Sequence, residues 1–190
     1  MKEERTDAEI VAASRDDPEL FGLIFRRHYG SVFGFVVGTV GSIDGLDLAS
    51  ETFSRAFAHR DRFDLRYPSA RPWLLGIAAN LIADHFRKLA RSYRANARLA
   101  NLGRPDSGFE DESAARLDAL AARPLVVRAM SSLRKEEAEV VALYVLADLS
   151  YAEISEALGI GLGTVRSRLS RARAKLGNLA RPIGESMEAP

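Results

Sequence analysis

The chain has 190 residues, of which 47% are hydrophobic and 28% are charged, and a formal net charge of +1, which supports packed cores and excludes a chain that is disordered throughout. That length suits one domain or two small ones. Because there is no cysteine and the three histidines are scattered, the sequence excludes a disulfide framework and a cysteine nucleophile, and we expect neither a metal nor a cofactor.

The beginning of the chain is charged rather than apolar, and acids outnumber bases over residues 1–20. It does not resemble a signal peptide, and no apolar run approaches the roughly 18 residues that a membrane span needs. The sequence therefore predicts a cytoplasmic protein with no membrane insertion.

The small net charge hides two strongly basic segments. Residues 85–104 and 164–181 each contain six lysines or arginines and no acid. Charge segregated in this way predicts two surfaces that bind a polyanion, although a solvated helix face gives the same pattern in any one segment.

Helical periodicity dominates the first half, and no stretch alternates as a strand does. The segment ELFGLIFRRHYGSVFGFVVGTV spaces its apolar residues three and four apart, and DLASETFSRAFAHRDRF predicts a shorter helix. The segment FDLRYPSARP contains two prolines and predicts a loop.

A long helix is predicted next, in WLLGIAANLIADHFRKLARSYR. One side is apolar, and Asn80, Asp84, Arg87 and Arg91 lie opposite it at spacings of four, three and four. An exposed stripe of this kind suits DNA, since an amide can address a base edge and cations can address phosphates. Trp73, which opens the helix, is expected in the core.

The sequence changes character after the long helix. Residues 96–123 include NLGRPDSGFEDES, a linker composition with room for one short helix over residues 114–121. The predicted fold is all-α, with two small helical domains, 1–95 and 124–180, joined by an acidic flexible linker, 96–123, and followed by a tail, 181–190.

The segment LSYAEISEALGIGLGTVRSRLSRARAKL predicts a helix-turn-helix. Ser150 and Glu153 form a capping box, and Gly159 suits the end of the first helix. Apolar residues from Leu162 to Leu176 account for the inner face of the second helix, which fits the major groove. Its outer face holds hydroxyls and guanidinium groups, from Thr164, Arg166, Ser167, Arg168, Ser170, Arg171 and Arg173.

The same segment resembles the last conserved region of bacterial RNA polymerase sigma factors, LSYAEIAEILGIPVGTVKSRLHRARKRL. DLASETFSRAFAHRDRFD and ARPWLLGIAANLIADHFRKLAR resemble the family's DLVQETFLRAWRALDRFD and ARAWLYTIARNLAIDHLRRRRR, and SSLRKEEAEVVALYVLADLS resembles the helix before the last region. The resemblance covers roughly residues 15–95 and 125–178. With only two conserved domains, it is typical of the extracytoplasmic-function subfamily.

The resemblance implies a binding role for each basic surface. The long helix would read the minus-ten element, the loop before it, residues 64–71, would receive a base flipped from the non-template strand, and the helix-turn-helix would read the minus-thirty-five element. Proline and histidine of the family pattern are replaced here by Gly161 and Ser170. The implied minus-ten residues are Tyr67, Asn80, Asp84, Arg87, Lys88 and Arg91.

The resemblance also implies protein partners. The helix with Asp44, Asp47, Ser50 and Glu51 would bind a coiled coil of the largest subunit of core RNA polymerase, although Ser50 replaces a usual glutamine. An anti-sigma factor is implied by the subfamily and by no residue here. The linker acids would either mimic RNA in the exit path of the polymerase or serve only solubility.

Two other functions remain open on the sequence. One is a helix-turn-helix transcriptional regulator with an N-terminal helical sensor domain, which leaves the second basic stripe unexplained. The other is a polymerase decoy without DNA activity, which the cations of the last helix disfavour. Without a Walker loop, a metal cluster or a nucleophile with its base, we expect no enzyme and no small-molecule substrate.

Overall fold

The computed structural model describes residues 5–100 and 125–180, and these residues are helical with no strand among them. The prediction of an all-helical chain is confirmed. The predicted short helix over 114–121 and the tail lie outside the described residues. The helices are α1 (Asp7–Ala13), α2 (Phe21–Val40), α3 (Ser42–Ala58), α4 (Arg71–Ala100), α5 (residues 125–132), α6 (Lys135–Val141) with a π-helical continuation (Ala142–Leu146), α7 (Tyr151–Leu158) and α8 (Leu162–Ala180), and 3₁₀ turns cover Pro18–Leu20 and Arg60–Arg62.

Helices α1 to α4 form the first helical unit, in which α2, α3 and α4 pack on one another. The capping box of Thr6 and Glu9 begins α1, with the Thr6 amide 2.8 Å from a Glu9 carboxylate oxygen. Fully buried Ile24 and Val36 of α2 meet Leu75 and Ile82 of α4 in one apolar cluster. None of the described helices has both the length and the hydropathy needed to cross a membrane.

Helices α5 to α8 form the second unit, and α7 and α8 are the predicted helix-turn-helix. Ser150 and Glu153 form the predicted capping box, and Gly159 adopts a left-handed conformation with φ of 62°. Val165 and Leu169 are buried as predicted. Leu162 was expected inside, but it begins α8 and remains 44% exposed, because no preceding helical turn covers it.

The two units are packed together, and α4 contacts both α6 and α7. A side chain at Gly76 would collide with the backbone carbonyl of Ala157, so the glycine allows α4 and α7 to touch. The stripe that was predicted to be exposed continues this face of α4, with Asn80 and Asp84 one and two turns beyond Gly76. Asn80 and Asp84, which the sequence predicts to be exposed, are instead half-buried because α6 packs on α4.

Candidate nucleic-acid and polymerase interface

Asn80 and Asp84 are bound by side chains of α6. Asn80 is half-buried, and its Nδ2 donates a hydrogen bond of 3.0 Å to Oε1 of Glu139. Nζ of Lys135 lies 2.7 Å from Oδ2 of Asp84. An amide and a carboxylate proposed to address DNA thus have protein partners in this conformation.

Glu139 occupies an unfavourable place for a charged group. It is 8% exposed, and burial raises the pKa of its carboxyl above the ordinary value of 4.5, although the hydrogen bond from Asn80 and the charge of Lys135 oppose this shift. Glu139 also feels the positive charge of Arg168, which belongs to α8. The carboxyl of Glu139 therefore interacts with a residue of each predicted basic surface, Asn80 on α4 and Arg168 on α8.

The C-terminal part of the polar stripe on α4 is exposed to solvent. Arg87, Lys88 and Arg91 are exposed. Arg87 and Arg91 line a cleft of about 460 Å³, together with Arg134 and Lys135 at the start of α6. Several cations in one cleft attract phosphate groups, because their potentials add.

The loop before α4 is folded on itself. The Arg66 guanidinium pairs with Asp64 at 2.6 Å and holds the pKa of that carboxyl below its usual range, and the amide of Tyr67 donates to the Asp64 carbonyl at 3.1 Å. Tyr67 is half-buried beside a cleft of about 450 Å³ that Trp73 also lines. Residues 155–160 of α7 and its end form the opposite wall, apart from Leu158.

Trp73 packs against the core cluster, as predicted. Its ring centroid lies 5.2 Å from that of Phe63, which is buried directly before the loop. This contact packs the first turn of α4 against Phe63, the residue before the loop. The two ends of the loop are therefore held at a fixed distance from each other.

Asp7 is a buried acid that the sequence did not single out. It is 3% exposed, and its carboxylate contacts the amide of Ala70, His28 and Arg27. Burial alone raises the pKa of Asp7, but these hydrogen bonds and charges outweigh burial and hold the pKa below 3.8. Asp7 is buried although it lies in the charged segment 1–20. Its contact with Ala70 is long-range, and no local sequence pattern predicts it.

The outer face of α8 is as predicted. Six of the seven residues predicted on this face are exposed, and Arg168 is half-buried near Glu139. The helix itself is held by Lys175, whose ammonium lies 2.5 Å from the buried carboxylate of Glu137, and Arg173 lies over the ring of Tyr144. The exposed residues are Thr164, Arg166, Ser167, Ser170, Arg171 and Arg173.

Helix α3 presents acids and apolar side chains together. Asp47, Ser50 and Glu51 are exposed, and Glu51 pairs with Arg55 at 2.7 Å, while Asp44 lies 3.7 Å from the His85 ring. Two neighbouring apolar side chains, which the sequence analysis did not weigh, are also open to solvent, with exposures of 83% for Ile43 and 54% for Leu46. Apolar residues beside acids at the start of an amphipathic helix are a signal that points to a protein partner.

Within the ranges 5–100 and 125–180, no group of three or more histidine, aspartate or glutamate side chains could hold a metal ion. The described chain carries a helix-turn-helix with a basic outer face and a second helix, α4, on which Arg87, Lys88 and Arg91 are exposed. These features define the chain as a helical DNA-binding transcription protein.

Comparison with known proteins gives the particular family. The sigma-70 region 2 family matches residues 24–92, and the sigma-70 region 4 family matches residues 124–176. The ECF RNA polymerase sigma factor SigC of Mycobacterium tuberculosis is 33% identical over 92% of this chain and 90% of its own length. The ECF sigma-E factor of Salmonella typhimurium is 29% identical over 96% of this chain and 98% of its own length.

A solved structure of CnrH in complex with the cytosolic domain of CnrY has a similar fold. Its TM-score is 0.55 at 26% identity, and the match covers 91% of this chain and 96% of that chain. The chain belongs to the extracytoplasmic-function (ECF) sigma factors. It is a sigma factor that binds core RNA polymerase, directs it to specific promoters and helps to open promoter DNA. This membership supports the sigma-factor interpretation over the regulator with a sensor domain.

Proposed function

We propose that the two helical units have different functions in promoter recognition. Residues 1–95 bind the polymerase and recognise and melt the minus-ten element, residues 124–180 recognise the minus-thirty-five element, and residues 96–123 link them. The observation that carries this proposal is the presence of one basic helical surface on each unit, on α4 and on α8. The work takes place in the cytoplasm, without catalysis by this chain.

Each proposed DNA contact has a chemical reason. Arg87, Lys88 and Arg91 are exposed cations that suit phosphates, whereas Asn80 suits a base edge. Asp84 lies between them and would orient a neighbouring cation, as it orients Lys135 here. Tyr67 offers a ring on which a flipped base can stack, and unstacking that base costs a few kcal/mol.

The conformation described here does not suit DNA binding at the minus-ten helix. Glu139 and Lys135 occupy the polar groups of Asn80 and Asp84. The two units therefore have to separate before α4 can meet promoter DNA, and this conformation is a closed form of the protein. Opening breaks the packing of α4 on α6 and α7 together with these two polar contacts, and contacts with DNA replace them.

Two protein partners complete the proposal. Core polymerase binds the α3 surface of Asp44, Asp47, Ser50 and Glu51, beside Ile43 and Leu46. An anti-sigma factor holds the chain inactive until a signal releases it, which the subfamily resemblance implies. The similar protein CnrH was solved with a second protein bound, which supports a partner of this kind.

Transcription by purified core polymerase tests the proposal directly. Sequencing the RNA made with and without this chain should reveal start sites that depend on it, and footprints should show two protected patches on each promoter. Unchanged start sites would refute the proposed function.

A substitution in α8 tests the assignment of the upstream contact. Arg166→Ala should weaken binding to promoters with an intact minus-thirty-five element by about 1–3 kcal/mol, if the guanidinium contacts a base. Scrambling that element should remove most of the difference. Arg128→Ala is a matched control that removes the same charge from an exposed side chain on α5, outside the helix-turn-helix. Equal losses on intact and scrambled promoters would show that Arg166 contacts only phosphates.

A further inference from the structure

The buried Asp7 connects the beginning of the chain to the loop before α4. Its backbone amide donates to the carbonyl of Pro68 at 3.1 Å, and its Oδ2 accepts the amide of Ala70 at 2.7 Å. Two hydrogen bonds thus fasten Pro68 and Ala70 of the loop to Asp7, the first residue of α1. Asp7 lies outside the region that matches the sigma-70 region 2 family, which begins at residue 24.

The position of the Asp7 carboxylate is itself fixed by α2. Its Oδ2 lies 2.6 Å from Nε2 of His28, and its Oδ1 accepts a hydrogen bond of 2.5 Å from Arg27. Both oxygens therefore have partners, and 3% exposure leaves the group little contact with water. A buried carboxylate with this many partners has one favourable position, so it holds the loop at a defined place.

The contact with Ala70 replaces a missing helix cap. The amide of Leu74 donates to the Ala70 carbonyl at 3.0 Å, so Ala70 is the N-cap residue of α4. In a capping box, a glutamate three residues into the helix accepts the N-cap amide. That position is Trp73 here, which cannot accept a hydrogen bond. Asp7 supplies the acceptor from 63 residues earlier in the chain.

The loop is thereby fixed at both ends. Asp64 and Arg66 form the turn at its beginning, and Asp7 holds its end at Pro68 and Ala70. Tyr67 lies between the two anchors, and both anchors belong to the first unit, so they remain when α7, the opposite wall of the cleft, moves away on opening. A site that is already in its binding geometry loses less conformational freedom when a ligand enters.

We propose that Asp7 is a positioning residue for promoter opening: by clasping Pro68 and Ala70, it holds the 64–71 loop in the shape that captures the flipped non-template base. This inference rests on the proposed role of that loop. A buried residue of the N-terminal helix is thereby part of the melting apparatus.

The test uses holoenzyme assembled from core polymerase and the full chain. The probe is a single-stranded oligonucleotide that carries the non-template minus-ten sequence of a promoter found by start-site mapping. A second set of oligonucleotides replaces each base in turn with an abasic site. The ratio of the two affinities measures what each base contributes, and it is unaffected by losses that are common to both probes.

Asp7→Asn keeps the size of the side chain but removes its charge and places an amide nitrogen against a donor, which is Arg27 on one side or the Ala70 amide on the other. We expect the abasic penalty at the captured base to shrink by about threefold or more, within the range for coupled groups. Penalties at the other bases should stay unchanged. Glu19→Gln, which removes an exposed acid outside the clasp, should leave every penalty as in the unaltered chain.

Three outcomes would overturn the proposal. If Asp7→Asn lowers affinity for intact and abasic probes by the same factor, Asp7 is structural only, while the role of the loop stands. If the unaltered chain shows no penalised base, the loop captures none, and both ideas fall. Where Asp7→Asn does not fold, Arg27→Gln loosens the same carboxylate more mildly, and an unchanged penalty in that variant counts against the proposal.

Discussion

Asp7 and Asn80 are polar residues whose surroundings are set by distant parts of the chain. Asp7 lies in a charged N-terminal segment, yet it accepts hydrogen bonds from α2 and from the start of α4. Asn80 lies on a polar stripe, yet it donates to α6. At the scale of one residue, burial and partners decide whether a polar side chain serves stability or binding, and neither property is local.

The lowered pKa of Asp7 predicts how stability depends on pH. The unfolded chain binds a proton at Asp7 near the ordinary pKa of 3.8, whereas the folded chain binds it only at lower pH. The contribution of Asp7 is therefore complete above pH 3.8 and is lost as pH falls through the folded-state pKa. The stability difference between the unaltered chain and Asp7→Asn should shrink over that acidic range.

Denaturant unfolding at a series of pH values checks this expectation. Glu19→Gln provides the control, because it removes an exposed acid that is not among the contacts of Asp7. A stability difference for Asp7→Asn that stayed constant from neutral pH to below 3 would contradict the lowered pKa.

At the scale of elements, α4 is the helix with two faces in use. One face packs on α2 and α3, and the other meets α6 and α7 through Gly76 and Asn80. A hydrophobic pattern identified the first face because large apolar residues mark it. The second face consists of a glycine and polar groups, which have the same composition whether they meet water, protein or DNA.

Helix α3 has the opposite character, with acids and apolar side chains open to solvent. Asp47→Lys should weaken the binding of core polymerase several-fold, because it places a cation where an arginine-bearing partner is implied. The loss should diminish as salt is raised, since the affected charges are exposed. Titration of a fluorescent derivative of the chain with core polymerase measures both effects.

Glu19→Lys makes the same change of charge outside α3 and serves as the control. If the two variants lose affinity equally, the effect is one of net charge and α3 is not the binding surface. A loss confined to Asp47→Lys, with minus-ten oligonucleotide binding retained once holoenzyme has formed, would support the assignment.

At the scale of the whole molecule, the described residues form one continuous apolar cluster across both units. The closed form is held by Gly76 against α7 and by the contacts of Glu139 and Lys135. Because burial raises the pKa of Glu139, the closed form binds a proton there more tightly than an open form does. Acid therefore favours closure, and closure weakens as pH rises through that pKa.

Two substitutions of Glu139 should act in opposite directions. Glu139→Gln keeps an acceptor for Asn80 and removes the buried charge, so it should maintain closure at every pH. Glu139→Ala removes the acceptor, so the open population should grow. The chain has no cysteine, so dyes on cysteines introduced at Ser54 and Ala174 report the distance between the units by energy transfer.

We expect lower energy-transfer efficiency for Glu139→Ala than for Glu139→Gln. In the absence of core polymerase, Glu139→Ala should also bind minus-ten DNA more strongly than Glu139→Gln does. Identical efficiencies in the two variants would mean that the contact between Glu139 and Asn80 does not hold the units together.

The sequence by itself determined the helices, the helix-turn-helix and the family. Capping residues such as Ser150, the left-handed Gly159 and the apolar spacing of α8 are local signals, and four motifs in order carry the resemblance. Exposure of Arg166 and Arg171 on α8 was also predictable, since the apolar residues of that helix account for its buried side.

Only the tertiary structure decided what the polar residues of the first unit contact. It placed Asp7 under the loop before α4, and it placed Glu139 against Asn80, although 63 and 59 residues separate these pairs along the chain. The physical reason is that hydrophobic periodicity reports which side of a helix leaves water, whereas a hydrogen-bond partner depends on which other elements arrive at the same place. Long-range polar pairing has no period. The closed form and the hydrogen bonds of Asp7 to Pro68 and Ala70 therefore could not be predicted from the sequence.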